Sequence, residues 1–92
     1  MTFVLNKCYG GFSLSAFAVE KLGVEDEYAF LDDSQMNALI SLIREYGSEK
    51  CSGRHANLQV VEVPDICTDY EINEYDGFEI MTYVVNGKLC HA

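Results

Sequence analysis

The sequence is poor in basic residues: six lysines and arginines stand against fifteen aspartates and glutamates, for a net charge of −9 at pH 7. Proteins that bind a nucleic-acid backbone or an anionic lipid surface use a basic patch to neutralise the phosphates. The composition therefore argues against direct contact with nucleic acid or membranes. An acidic chain suits a basic protein partner, such as a groove that normally holds nucleic acid. The alternative is that the charge serves solubility only.

Long apolar runs, export signals and linkers are also missing. No window reaches the roughly 18 apolar residues of a membrane span, and the first residues lack the basic and apolar regions of a secretion signal. We therefore expect a cytoplasmic protein whose four cysteines are free thiols. With no repeat or low-complexity tract, 92 residues of which 49% are hydrophobic predict one domain, 1–92.

Hydrophobic spacing predicts an α+β fold in the order β-α-α-β-β-β-β. Strands are expected at residues 2–6, 58–63, 70–75, 78–85 and from 88 onward. Capping residues bound two helices: Ser15 or Ser13 and Gly23 for the first, Asp33 or Ser34 and Gly47 for the second. Residues 48–54 are expected to be a polar connector, and Asn86-Gly87 predicts a two-residue hairpin turn. Because the helices precede the hairpins, we expect a mostly antiparallel sheet with both helices on one face.

The Gly10-Gly11 pair lies between the first strand and the first helix, where backbone N–H groups can converge on an anion. The Lys7 ammonium would add charge, and Asn6, Tyr9 and Phe12 would add hydrogen bonds and a stacking surface. This predicts a site for a phosphorylated nucleotide, formed by Asn6, Lys7, Tyr9, Gly10, Gly11 and Phe12. The spacing matches neither the dinucleotide fingerprint nor the Walker A loop. The alternative is a tight turn that needs the positive φ of glycine.

The segment from His55 to Val85 contains no lysine or arginine, although it carries several acidic residues. Natural surfaces usually mix the two signs of charge. A row of carboxylates on a sheet can imitate the phosphates that a basic protein surface normally binds. This predicts a partner-binding surface that includes Glu71, Glu74, Asp76 and Glu79. The alternative is an ordinary solvated sheet face.

Cysteine and histidine occur without the spacing of a metal site. Cys51 and His55 are four residues apart and Cys90 adjoins His91, but there is no Cys-x-x-Cys pair. Cys8 lies near a predicted helix start, a position that can favour a nucleophilic thiolate. Nothing in the sequence, however, brings a base to it. The sequence therefore predicts no metal, no cofactor and no catalytic group.

Three motifs carry a resemblance to a known family: Asn6-Lys7-Cys8-Tyr9-Gly10-Gly11-Phe12-Ser13-Leu14-Ser15, Leu58-Gln59-Val60-Val61-Glu62-Val63-Pro64-Asp65 and Tyr70-Glu71-Ile72-Asn73-Glu74-Tyr75-Asp76-Gly77. With the arm Tyr83–Lys88 they place the likeness along most of the chain, from Asn6 to Lys88. The set resembles a family of small uncharacterised proteins encoded by tailed bacteriophages and prophages. The resemblance implies phage origin and an accessory role, for which counteracting host defence is the expected function.

These observations lead to one expected function and one alternative. We expect a non-enzymatic accessory protein in the host cytoplasm that binds and blocks a basic host defence protein, in the manner of an anti-CRISPR protein. The alternative is a sponge that sequesters a phosphorylated nucleotide signal at the Gly10-Gly11 loop. Self-association is left open.

Overall fold

The computed structural model describes all 92 residues, Met1–Ala92, and it confirms the α+β class. The elements along the chain are β1 (Thr2–Asn6), α1 (Ala16–Leu22), α2 (Asp33–Tyr46), α3 (Ser48–Cys51), β2 (Leu58–Glu62), β3 (Asp69–Tyr75), β4 (Phe78–Val85) and β5 (Lys88–His91). Their order agrees with the prediction except for α3. This single helical turn lies in the segment that was expected to be a polar connector.

Side-chain caps set the starts of the two longer helices. The Ser15 hydroxyl accepts a hydrogen bond from the backbone N–H of Ala18, as predicted, and Gly23 ends α1 with a φ of +67°. The prediction of Asp33 or Ser34 as the cap of α2 is wrong, because Asp32 and Gln35 cap each other. The Asp32 carboxylate accepts from the Gln35 N–H at 2.7 Å, and the Gln35 side chain accepts from the Asp32 N–H at 3.0 Å.

The strands form two antiparallel sheets, where the sequence predicted one. β1 pairs with β2, with Val4 opposite Val60. β3, β4 and β5 form a separate meander with β4 in the middle. The physical reason lies in β1 and β2, whose consecutive apolar residues point to both faces of their sheet. Both faces must then be covered by another layer.

Two apolar clusters supply those covers. Val4 and Leu58 join the first cluster with the helical side of the molecule, whose buried members are Leu14, Ala18, Leu39, Ile40, Ile43 and Cys51. Leu5 and Val63 join the second cluster with Met81 of β4. The helices therefore cover one face of the β1–β2 sheet, and the meander covers the other.

Both turns of the meander have positive φ at both central residues. Asp76 and Gly77 have φ of +49° and +87°, and Asn86 and Gly87 have φ of +51° and +74°. This is the pattern of a type I′ turn, which matches the twist of the flanking strands. The predicted Asn86-Gly87 hairpin is thus confirmed. The other turn carries Asp76 and Gly77 to the N-terminal loop, where the candidate site lies.

Candidate functional site

The loop that follows β1 meets the turn between β3 and β4. The backbone N–H of Gly10 donates to the Asp76 carbonyl at 2.8 Å. The Tyr9 ring lies 5.2 Å from the Phe78 ring and 6.5 Å from the Tyr75 ring, centroid to centroid. We call residues 6–12 together with residues 74–79 the loop–turn junction. The structure thus brings the predicted ligand residues close to three of the four predicted partner-binding residues.

Asn6 is the centre of this junction, and its side chain is fully buried. Its Nδ2 donates to the carbonyls of Gly77 at 2.7 Å and Cys8 at 2.9 Å. Its Oδ1 accepts from the backbone N–H of Asn57 at 2.9 Å. Both donor hydrogens of the amide are therefore used inside the protein. Asn6 ties three chain segments together, and the nucleotide hypothesis would need it to face a ligand.

Lys7 is half-buried and its ammonium is also engaged internally. Its Nζ donates to the Glu79 carbonyl at 2.7 Å and to the Ala92 carbonyl at 2.9 Å. The same atom lies 5.6 Å from the centroid of the Phe78 ring, within cation–π range. Two of its three donors thus hold the end of the chain against β4.

The Gly10-Gly11 pair allows the two backbones to approach closely. Both glycines have positive φ, +126° and +95°. A Cβ on Gly77 would overlap the backbone N and Cα of Gly11, and a Cβ on Gly10 would lie 2.8 Å from the His55 Cβ. Glycine is the residue that permits such packing.

Two of the amides after the pair are engaged inside the protein as well. The Leu14 N–H donates to the Glu27 carbonyl and the Ser15 N–H to the Cys51 carbonyl, both at 2.9 Å. The loop therefore has a structural explanation that requires no ligand. The nucleotide-sponge hypothesis stays a prediction, and no contact of the loop favours it. Phe12, the last predicted ligand residue, is half-buried against the helical cluster.

The four predicted partner-binding acids do not share one face. Glu71 and Asp76 are exposed, and their carboxylates have no hydrogen-bond partner in the protein. Glu74 is exposed too, but its carboxylate accepts from the backbone N–H of Gly77. Glu79 is half-buried and its Oε1 accepts from the Asn6 N–H at 2.7 Å. Since Glu74 pairs with Glu79 and Glu71 with Thr82, strand alternation places Glu71 on the opposite face from the other two.

Strand β3 is the acidic edge of the meander. It pairs only with β4, and all of its residues are exposed. At its end, Tyr75 is 73% exposed, and the neighbouring Tyr9 is 62% exposed. Tyr75 was not among the predicted site residues. Its signal in the sequence is its place directly before the Asp76-Gly77 turn, but its aromatic neighbour Tyr9 is too far away along the chain to be paired with it from sequence.

Cys8 lies in the loop–turn junction, and the other three cysteines lie outside it. Cys51 is fully buried in the helical cluster, and burial raises the pKa of its thiol, while Lys50 lowers it to a lesser extent. Cys8, Cys67 and Cys90 are half-buried free thiols. No group of three or more histidine, cysteine, aspartate or glutamate side chains is arranged to hold a metal ion.

Comparison with protein-family models, with curated proteins and with solved structures gave no match for this chain. None of its helices has both the length and the apolar character needed to cross a bilayer. The interpretation of function therefore rests on the geometry of the acidic edge strand and the loop–turn junction.

Proposed function

We propose that this protein is a non-enzymatic binding protein that covers a basic surface of a partner protein with β3 and the loop–turn junction. The observation that carries the proposal is the complete exposure of β3, which carries Asp69, Glu71 and Glu74 and leads into Asp76. No lysine or arginine occurs between Arg54 and Lys88 to offset these charges. Complementary charge speeds encounter with a basic partner and excludes acidic ones.

The junction adds two properties that favour binding. The turn that presents Asp76 is fixed by the buried Asn6 side chain, so little conformational freedom is lost when a partner binds. Tyr9 and Tyr75 offer exposed aromatic surface beside the acidic groups. Tyrosine is enriched in binding hot spots, and an aromatic face also attracts arginine and lysine.

The biological setting of the proposal comes from the resemblance to phage proteins. A phage accessory protein with an acidic surface would block a host defence protein whose basic groove normally holds nucleic acid. The carboxylates would then take the places of phosphates. The cytoplasm of the host cell is the compartment in which the two would meet.

Capture from a bacterial host lysate tests this proposal. The immobilised protein is incubated with lysate at low and at high ionic strength, after nuclease treatment. We expect a captured protein with a basic surface that is released at high salt, because screening weakens exposed charge pairs beyond about 10 Å at 0.1 M. Capture that is insensitive to salt, or that selects only acidic proteins, would contradict the proposal.

A further inference from the structure

The connector between α1 and α2 exposes two large aromatic side chains. Phe30 is 92% exposed and Tyr28 is 68% exposed. Their neighbours Ala29 and Leu31 are half-buried, and Leu31 packs against the helical cluster. The apolar surface of a solvent-exposed phenylalanine does not stabilise the fold, because it is not removed from water. The proposed binding of a basic surface by β3 does not explain these side chains.

The connector is held in place on the body of the protein. The Glu27 carbonyl accepts from the Leu14 N–H at 2.9 Å. The Asp26 carboxylate accepts from the Tyr28 N–H at 2.8 Å. At the end of the connector, Asp32 caps the start of α2. Tyr28 and Phe30 are therefore presented from a fixed backbone, which lowers the entropy lost on binding.

An apolar groove of about 470 Å³ lies between this connector and the body of the protein. Its size is in the range of sites that take a ligand or an anchoring side chain. The groove is lined by apolar side chains from four parts of the chain: Val4, Phe12, Tyr28, Phe30, Leu31 and Met36. Glu27 and Glu79 are the charged residues that line it. Through Phe12 and Glu79 the groove continues to the loop–turn junction.

The charged residues that line this groove and those of the connector beside it are all acidic. From Cys8 to Ile43 the only basic residue is Lys21, and its Nζ lies over the Phe17 ring at 5.8 Å. The same range contains exposed acids on both sides of Phe30, namely Glu20, Glu25, Asp26, Glu27, Asp32 and Asp33. An apolar floor with an acidic rim fits an occupant that is apolar on one side and basic at its edges.

We propose that this groove binds an amphipathic basic segment of the partner, whose apolar side chains enter the groove while its lysines or arginines meet the rim. Recognition of a helix by its apolar face in a groove is an established mode of peptide binding. A second copy of this chain is a poor occupant, because pairing would bring two acidic rims together. The inference rests on the proposed function, since it assigns an apolar anchor to the same basic partner.

A model peptide tests the groove directly. The probe is a 14-residue amphipathic leucine–lysine peptide, compared with a peptide of equal charge in which serine replaces every leucine. We expect the leucine peptide to bind about tenfold or more tightly than the serine peptide, and Phe30→Ala to remove that difference. Ile66→Ala is the matched control, because Ile66 is 64% exposed in the β2–β3 connector. NMR shifts caused by the leucine peptide should fall on residues 27–36.

Several results would overturn the inference. These are equal affinity of Phe30→Ala and wild type, equal affinity of the two peptides, shifts confined to β3, or no binding at about 1 mM peptide. A wild-type dimer that Phe30→Ala dissociates in sedimentation would show that a second copy occupies the groove. If the captured partner still binds Phe30→Ala but not a variant lacking charges on β3, the groove inference fails and the proposed function stands. If the partner binds both variants as tightly as wild type, both proposals fail.

Discussion

The side-chain amide of Asn6 donates a 2.7 Å hydrogen bond to the carbonyl of Gly77, a residue 71 positions further along the chain. This buried contact joins the end of β1 to the turn between β3 and β4. It fixes the place where the acidic edge strand ends, and it buries Gly77 while Tyr75 and Asp76 stay exposed.

We expect Asn6→Ala to destabilise the fold, because the carbonyls of Gly77 and Cys8 and the N–H of Asn57 would lose their partner. Leaving a buried polar group unsatisfied costs about 1–3 kcal/mol, and we expect a loss near the upper end of that range. Urea unfolding measures it. Asn37→Ala is the control, because Asn37 is exposed on α2. Equal midpoints for the two variants would show that Asn6 does not hold the junction.

The pair Gly77→Ala and Gly87→Ala separates close packing from backbone strain. Both glycines follow a positive-φ residue in a hairpin turn, with φ of +87° and +74°. A methyl group on Gly77 overlaps the Gly11 backbone, whereas one on Gly87 meets open space. Strain alone costs about 1 kcal/mol or somewhat more. Thermal unfolding should therefore show a clearly larger loss for Gly77→Ala, and similar losses would argue against a tight junction.

Lys7→Ala tests the role of the ammonium that the sequence assigned to a nucleotide. An exposed lysine at a ligand site would contribute little to stability. The two hydrogen bonds to Glu79 and Ala92 instead predict a loss of about 1–2 kcal/mol, reduced by partial exposure. Lys88→Ala, at an exposed position on β5, should be nearly neutral. Calorimetry with a panel of nucleotides adds a second measurement. Binding that Lys7→Ala abolishes without loss of stability would restore the sponge hypothesis.

Cys51 should be the least reactive of the four thiols. Burial raises its pKa, so the reactive thiolate is scarce in the folded protein. The protonated Cys51 thiol makes its full contribution to folding stability at pH values below the pKa of this thiol in the unfolded chain. This contribution is lost as pH rises from that value through the raised pKa of the folded state. Alkylation followed by mass spectrometry at about pH 8 should modify Cys8, Cys67 and Cys90 first. Labelling of Cys51 at the same rate would show that the site opens to solvent.

Local patterns in the sequence were enough to predict most elements. The period of α2, the Ser15 cap and the Asn86-Gly87 turn depend on neighbouring residues, and the structure confirms them. The predicted cap of α2, Asp33 or Ser34, lies one or two residues too far along the chain, because Asp32 and Gln35 form the capping pair. The separation into two sheets does not follow from the sequence. The alternation of apolar and polar residues along a strand shows to which face of the sheet a side chain points, but not which layer covers that face.

The candidate site was predicted only in fragments. The sequence identified Asn6 and Glu79 as members of two different sites, yet the Asn6 N–H donates to the Glu79 carboxylate. A contact between residues 73 positions apart produces no periodic pattern in the sequence from which it could be predicted. The same limit hides the pairing of Tyr9 with Tyr75. For the same reason, the burial of Asn6 could not be distinguished from exposure to a ligand.

A comparison of two charge variants tests the central claim most directly. Glu71→Gln/Asp76→Asn removes two exposed carboxylates from the acidic edge, and Glu45→Gln/Glu49→Gln removes two exposed carboxylates from the helical side. Both variants carry the same net charge, and asparagine tolerates the positive φ of Asp76. Titration of the captured partner should show about tenfold weaker binding and a flatter salt dependence for the first variant only. Equal affinities of the two variants across the salt range would contradict the account.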